Sequence, residues 1–179
     1  MDDRELVERL RSGDGAEEAF DTMFRSWYAP LVRAAEAMLR DRAAAEEVVQ
    51  DMMLALWRRR ESLVVDESLR AYLYRATRNR ALNHLRRQRV EQRGEPYAGD
   101  RNATASIADS ALGERELAEA IRDAVTSLPP RCREVFQLSR THGLTYAEIA
   151  TTLGISVKTV EVQMGKALRV LRERLAAWR

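Results

Sequence analysis

Residues 145–175, TYAEIATTLGISVKTVEVQMGKALRVLRERL, hold two helical patterns joined by a turn too short to be anything but a fixed corner. Thr145 and Glu148 stand at the T-x-x-E spacing at which side chains and backbone cap each other reciprocally and start a helix. Gly154 predicts its stop, because glycine takes the left-handed conformation that a C-terminal turn demands. Ser156 predicts the cap of a second helix, on which Val157, Val160, Met164, Leu168, Leu171 and Leu175 recur at the spacing of one buried face. Ala150 is small enough for two helices to cross, and Val160 is an aliphatic plug for the corner. The stretch reads as a helix-turn-helix.

The opposite face of the second helix carries Lys158, Thr159, Val162, Gln163, Lys166 and Arg169, with Ser156 at its start. Such a mixture of hydrogen-bonding and cationic groups suits a helix lying in the DNA major groove. There Val162 would touch a thymine methyl and Gln163 would pair with adenine. The plainer reading is a helical hairpin with a solvated basic face. Agreement among caps, turn and inter-helix residues favours DNA.

A chain of 179 residues has room for one or two small domains around this unit, and 8 Gly and 4 Pro among long periodic segments predict an all-α protein. The lone Cys132 excludes an internal disulfide and a Cys-based zinc site. The start, MDDRELVERLRSGD, has no secretory pattern, and no apolar run nears the roughly 20 residues of a membrane span. The expectation is a cytoplasmic protein without membrane insertion. Net charge is +2 but unevenly spread: −4 over 1–65, +5 over 66–93, −4 over 94–130 and +5 over 131–179. Two basic blocks separated by an acidic one suggest two contacts with one polyanion and surfaces left for another partner.

From the N-terminus, Glu17–Met38 predicts a long helix with Phe20, Met23, Phe24, Trp27, Leu31, Ala34, Ala35 and Met38 on its apolar face, bent at Pro30. A second, Arg42–Arg60, buries Ala45, Val48, Val49, Met52 and Leu56. Its remaining surface shows Glu46, Glu47, Gln50 and Asp51 beside Met53, Leu54 and Trp57, an acidic face edged with apolar residues that invites a protein partner. Spacing alone would instead put Met53 and Trp57 in the core.

A third helix, Leu69–Gln88, packs Leu69, Tyr72, Leu73 and Ala76 inward, while Asn79, Asn83, Arg86 and Arg87 share another face. Amides beside arginines satisfy base edges and phosphates together, a nucleic-acid footprint. His84 has no ligand-spaced partner, so no metal site is expected. Residues 90–111 lose all periodicity and read as a flexible linker. Its stretch 94–110 reaches at most roughly 55–60 Å when extended. Beyond it, Leu112–Ser127 predicts a helix presenting Leu117, Ile121, Val125 and Leu128. Pro129 and Pro130 open another that runs through His142 and stops at Gly143. The expected organisation is thus two small helical domains, 1–89 and 112–179, joined by a linker at 90–111.

Three segments in order carry a family likeness: AAAEEVVQDMMLALW, YLYRATRNRALNHLRR and LPPRCREVFQLSRTHGLTYAEIATTLGISVKTVEVQMGKAL. Together they resemble an extracytoplasmic-function (group IV) sigma factor of bacterial RNA polymerase. The resemblance implies that Glu46, Glu47, Gln50, Asp51 and Leu54 dock on the clamp of the core RNA polymerase. It implies that Asn79, Asn83, Arg86 and Arg87 face the minus-ten element of promoter DNA, that Leu63–Ser68 captures a flipped base, and that the last long helix reads the minus-thirty-five element. It also implies an anti-sigma factor as partner, and neither enzymatic activity nor a cofactor. Departures are Asn83 where Asp is common, Tyr72 where Trp is common, and Val162 and Gln163 in place of Ser and His.

Two other classes compete. A dimeric helix-turn-helix activator of the two-component type would need an alternating strand-helix receiver, and residues 1–90 have no strand signal. An all-helical enzyme using Glu46 and Glu47 lacks any Glu-x-x-His, HExxH, GxSxG or glycine-rich phosphate motif.

Overall fold

The computed structural model describes residues 3–65, 68–92 and 112–176, and the chain divides into two compact units, Met1–Thr104 and Ala105–Arg179. Among the described residues there are eight α-helices, a short 3-10 turn and no strand. This is the all-α class that the periodicities imply, and the receiver domain of a two-component activator has no place in it.

The first unit is built from α1 (Asp3–Ser12), α2 (Ala16–Leu39), α3 (Arg42–Arg58), the 3-10 turn Arg60–Ser62 and α4 (Leu69–Gln92). Helix α2 is the centre, packing against α1, α3 and α4. Met23, Leu31 and Ala35 are wholly buried along it, and α3 buries all five of its expected core residues together with Met53. A large aliphatic side chain withdrawn this far from water contributes about 1.5–3 kcal/mol. Pro30 lies inside α2, which runs on as one helix. Arg40, with φ 56°, closes α2 in the left-handed conformation, and Asp41 caps α3 by accepting the Ala44 amide at 3.1 Å. The third-helix pattern differs from expectation: Ala71, Leu73, Tyr74, Thr77 and Ala81 are buried, while Tyr72 and Ala76 are half-buried. Helix α1 has no counterpart in the sequence reading; Leu6 and Leu10 bury it on its neighbours.

The second unit comprises α5 (Leu112–Thr126), α6 (Pro130–Arg140), α7 (Tyr146–Leu153) and α8 (Val157–Arg174), with α5, α6 and α7 all packing on α8. The helix-turn-helix forms as its caps require. Thr145 Oγ1 accepts the Glu148 amide at 3.3 Å while Glu148 Oε2 accepts the Thr145 amide at 2.8 Å. Gly154 turns the chain at φ 63°, and Ser156 Oγ accepts the Thr159 amide at 3.1 Å. Helices α7 and α8 pack together, and Ala150 of α7 and Val160 and Met164 of α8 are buried.

Three expected core residues are corrected. Val157 is 43% exposed, and Leu117 and Ile121 are exposed on α5, where Ala124 is buried instead; Leu128, just past the helix, is buried as expected. Helix α6 ends at Arg140 rather than running through His142. Of the expected linker at 90–111, residues 90–92 continue α4 and the rest lies outside the described residues, as do residues 66 and 67 of the expected loop Leu63–Ser68.

Candidate nucleic-acid and docking faces

Because α8 is held on one side by three helices, its other side is an exposed convex surface. Lys158, Val162, Lys166 and Arg169 all stand on it, with Val162 45% exposed. Lys158 Nζ donates to Glu161 Oε2 at 3.0 Å, a pair that sequence reading did not include. An exposed pair of this kind is worth at most about 1 kcal/mol, so a phosphate can replace the carboxylate at little cost. Ser156 and Thr159 are occupied in capping: their hydroxyls lie 2.9 Å apart, and Thr159 is half-buried.

Gln163 departs from the free reading residue of the sequence analysis. It is half-buried, and the Cys132 thiol of α6 donates to its Oε1 at 3.0 Å. The thiol sits in the apolar core with Ala124, Leu128, Ala167 and Leu171. One side of the amide is therefore fixed to the core while Nε2 keeps both of its hydrogens as donors. Arginines brace the same region: Arg131 pairs with Glu134 at 2.7 Å and donates to the Leu153 carbonyl at 3.3 Å, tying α6 to the end of α7. Arg133 donates to the Leu128 carbonyl at 3.0 Å and to that of Thr126, closing the end of α5.

On α4, Asn79, Asn83, Arg86 and Arg87 are all exposed, as their spacing implies. Arg86 Nη1 approaches Asn83 Oδ1 at 3.4 Å, so the two side chains lie together in the turn they share. An arginine fork beside a carboxamide combines a phosphate donor with a group that hydrogen-bonds base edges.

The α3 face is a different kind of surface. Glu47, Gln50, Asp51 and Leu54 are exposed, Leu54 by 46%, whereas Glu46 is half-buried and held by Arg42 at 2.9 Å. Gln50 Nε2 donates to the Tyr28 hydroxyl at 3.2 Å. Beside these residues runs a groove of about 390 Å³ lined by Glu17, Phe20, Phe24, Met53, Leu54 and Trp57 with Gln50. Phe20 packs on Trp57 at 5.1 Å between ring centres, and the Arg60 guanidinium covers that indole at 4.3 Å. The sequence reading put Phe20 and Phe24 simply on an apolar face; they form the α2 wall of this groove. Met53 is buried at its side, as spacing alone had it, and Trp57 is half-buried.

The matches to known families follow the same division. Residues 23–91 match the Sigma-70 region 2 family and residues 118–171 match Sigma-70 region 4. The RNA polymerase sigma factor CnrH of Cupriavidus metallidurans is 29% identical over 93% of this chain and 91% of its own. The ECF RNA polymerase sigma factor SigL of Mycobacterium tuberculosis is 32% identical, covering 90% of this chain and 92% of its own. The solved structure of CnrH in complex with the cytosolic domain of CnrY superimposes with a TM-score of 0.66 at 26% identity, covering 98% of this chain and 97% of that one. Two regions in the order of a sigma factor, each carrying a helix with an exposed basic face, leave one assignment: the chain belongs to the extracytoplasmic-function sigma factors, which bind core RNA polymerase and direct transcription initiation at specific promoters.

Proposed function

We propose a division of labour among the three faces. The α3 face, with Glu46, Glu47, Gln50, Asp51 and Leu54, docks on core RNA polymerase. Asn79, Asn83, Arg86 and Arg87 of α4 engage the downstream promoter element. Ser156, Lys158, Thr159, Val162, Gln163, Lys166 and Arg169 of α8 engage the upstream one. The domains that carry these tasks are 1–89 and 112–179, with 90–111 as the connection. The observation that carries this reading is the contrast in surface chemistry: arginines and amides crowd the exposed side of α4, lysines and arginines that of α8, while α3 exposes acids beside an apolar groove. Basic faces attract phosphate, and an acidic face with an apolar groove repels it and suits protein.

The solved complex of CnrH with the cytosolic domain of CnrY supports a further part of the proposal, that a protein partner, of the anti-sigma kind implied by the family likeness, binds this factor. Transcription in vitro with core RNA polymerase and a randomised promoter library tests the whole assignment. Two conserved elements should emerge among the transcribed templates. Lys166→Ala should lower output on all of them alike, because a lysine on phosphate reads no sequence. Output unaffected by Lys166→Ala together with Arg169→Ala would remove α8 from promoter contact.

A further inference from the structure

Gly165 stands in the interior of α8, between Val162 three residues before it and Arg169 four after it, so it belongs to the exposed side of the helix. Among the described residues nothing calls for a glycine there. The residue is helical, and it is not among the positive-φ glycines, Gly13, Gly15, Gly143 and Gly154. A Cβ built on it would meet no atom within 4 Å outside its own turn of helix, so no packed neighbour needs the room. Glycine weakens a helix interior relative to alanine through the backbone freedom it must lose on folding. The fold alone would be better served by alanine.

What a missing side chain does provide is closeness. Where a ligand must come against a backbone, a Cβ holds it off. We infer that Gly165 is a contact point at which duplex promoter DNA comes directly against the α8 backbone. Its surroundings select the ligand: Lys158, Lys166, Arg169 and Arg172 are exposed around it, Val162 is the exposed apolar neighbour, and the nearby acid, Glu161, is held by Lys158. Cationic side chains on both flanks take the phosphates of the groove walls, and the bare stretch of helix between them lets the axis sink toward the base edges. The inference rests on the reading of this face of α8 as the one that engages the upstream element.

The test uses the full chain carrying Gly165→Ala or Gly165→Leu, assembled with core RNA polymerase. The probe is a duplex promoter selected by the wild-type holoenzyme from a randomised upstream library. Gly165→Ala should raise the melting temperature of the second unit in the free chain, by roughly 4–8 °C for a unit of this size. The same variant should weaken promoter binding about tenfold, the scale of one mismatched base pair, and Gly165→Leu should weaken it further. Wild-type promoter binding by both variants would overturn the inference, and so would a lower melting temperature for Gly165→Ala, since the glycine would then serve the fold. Lys166→Ala and Arg169→Ala separate the two levels. If they weaken binding while the Gly165 variants do not, the close approach alone fails; if none of the four has an effect, the reading of the face fails.

Discussion

The contact between Cys132 and Gln163 joins the core of the second unit to a residue proposed to meet DNA, so base preference is expected to depend on a buried side chain as well as on the exposed ones. In Cys132→Ala the amide loses its anchor, so preference at one upstream position should broaden in a library selection with the holoenzyme. Cys132→Ser keeps an O–H donor and should keep the preference. An unchanged profile in both variants would show that the anchor has no part in readout. The contact left no trace in the sequence, because it links residues 31 apart on different helices and periodicity reports only neighbours along one helix. Tyr74 gives a second residue-level expectation. Burial in the first unit pushes its hydroxyl up to about 12, against the lowering influence of Arg33 and Arg70. The unfolded chain releases that proton near pH 10, two units earlier, so the neutral phenol supports folding fully below pH 10 and the contribution is lost as pH rises toward 12. Denaturant titrations of Tyr74→Phe should lack this alkaline loss, roughly 2–3 kcal/mol between pH 9 and 12; equal loss in variant and wild type would contradict it.

Helices α7 and α8 were legible because each bears its own start and stop: Thr145 with Glu148, then Gly154, then Ser156, all chemistry that acts within one turn. Helix α1 offers only Leu6, Val7 and Leu10 at helical spacing in a charged decapeptide, a pattern too short to stand out until its neighbours bury Leu6 and Leu10. The opposite error fell on α5. Leu117 and Ile121 share a stripe with buried residues, yet burial depends on how far a neighbouring helix extends, and α8 covers only the later part. The α3 acids were legible as a face, whereas the groove beside them needed α2 to bring Phe20 and Phe24 across. This pairing of acids with an apolar groove predicts separable effects. Reversing charge at Glu47 and Asp51 together should weaken capture by core RNA polymerase at least tenfold, and more so at low salt, since exposed charges are screened beyond about 10 Å at 0.1 M. Arg86→Ala with Arg87→Ala should leave that capture intact and reduce open-complex formation. Gel-filtration or fluorescence binding to core, followed by permanganate footprinting, distinguishes the two.

One chain with two basic blocks and two sigma regions is expected to meet two promoter elements at once. In the holoenzyme, each base pair inserted between those elements turns one about a tenth of a turn relative to the other. Inserting two or three base pairs should therefore abolish transcription from a selected promoter; full transcription from such templates would argue against simultaneous recognition, and dependence on a palindrome would argue for a dimer. The packing of α5, α6 and α7 on one side of α8 has a further consequence, for how such a protein changes over generations. Val160, Met164, Ala167 and Leu171 are buried on the side of α8 that its neighbours pack against, so changes there cost stability. Lys158, Val162, Lys166 and Arg169 touch no core and are free to vary. If the outward side chains read the promoter as proposed, duplicated copies of the gene would acquire new regulons by replacing a handful of them, while the scaffold that presents them is inherited unaltered.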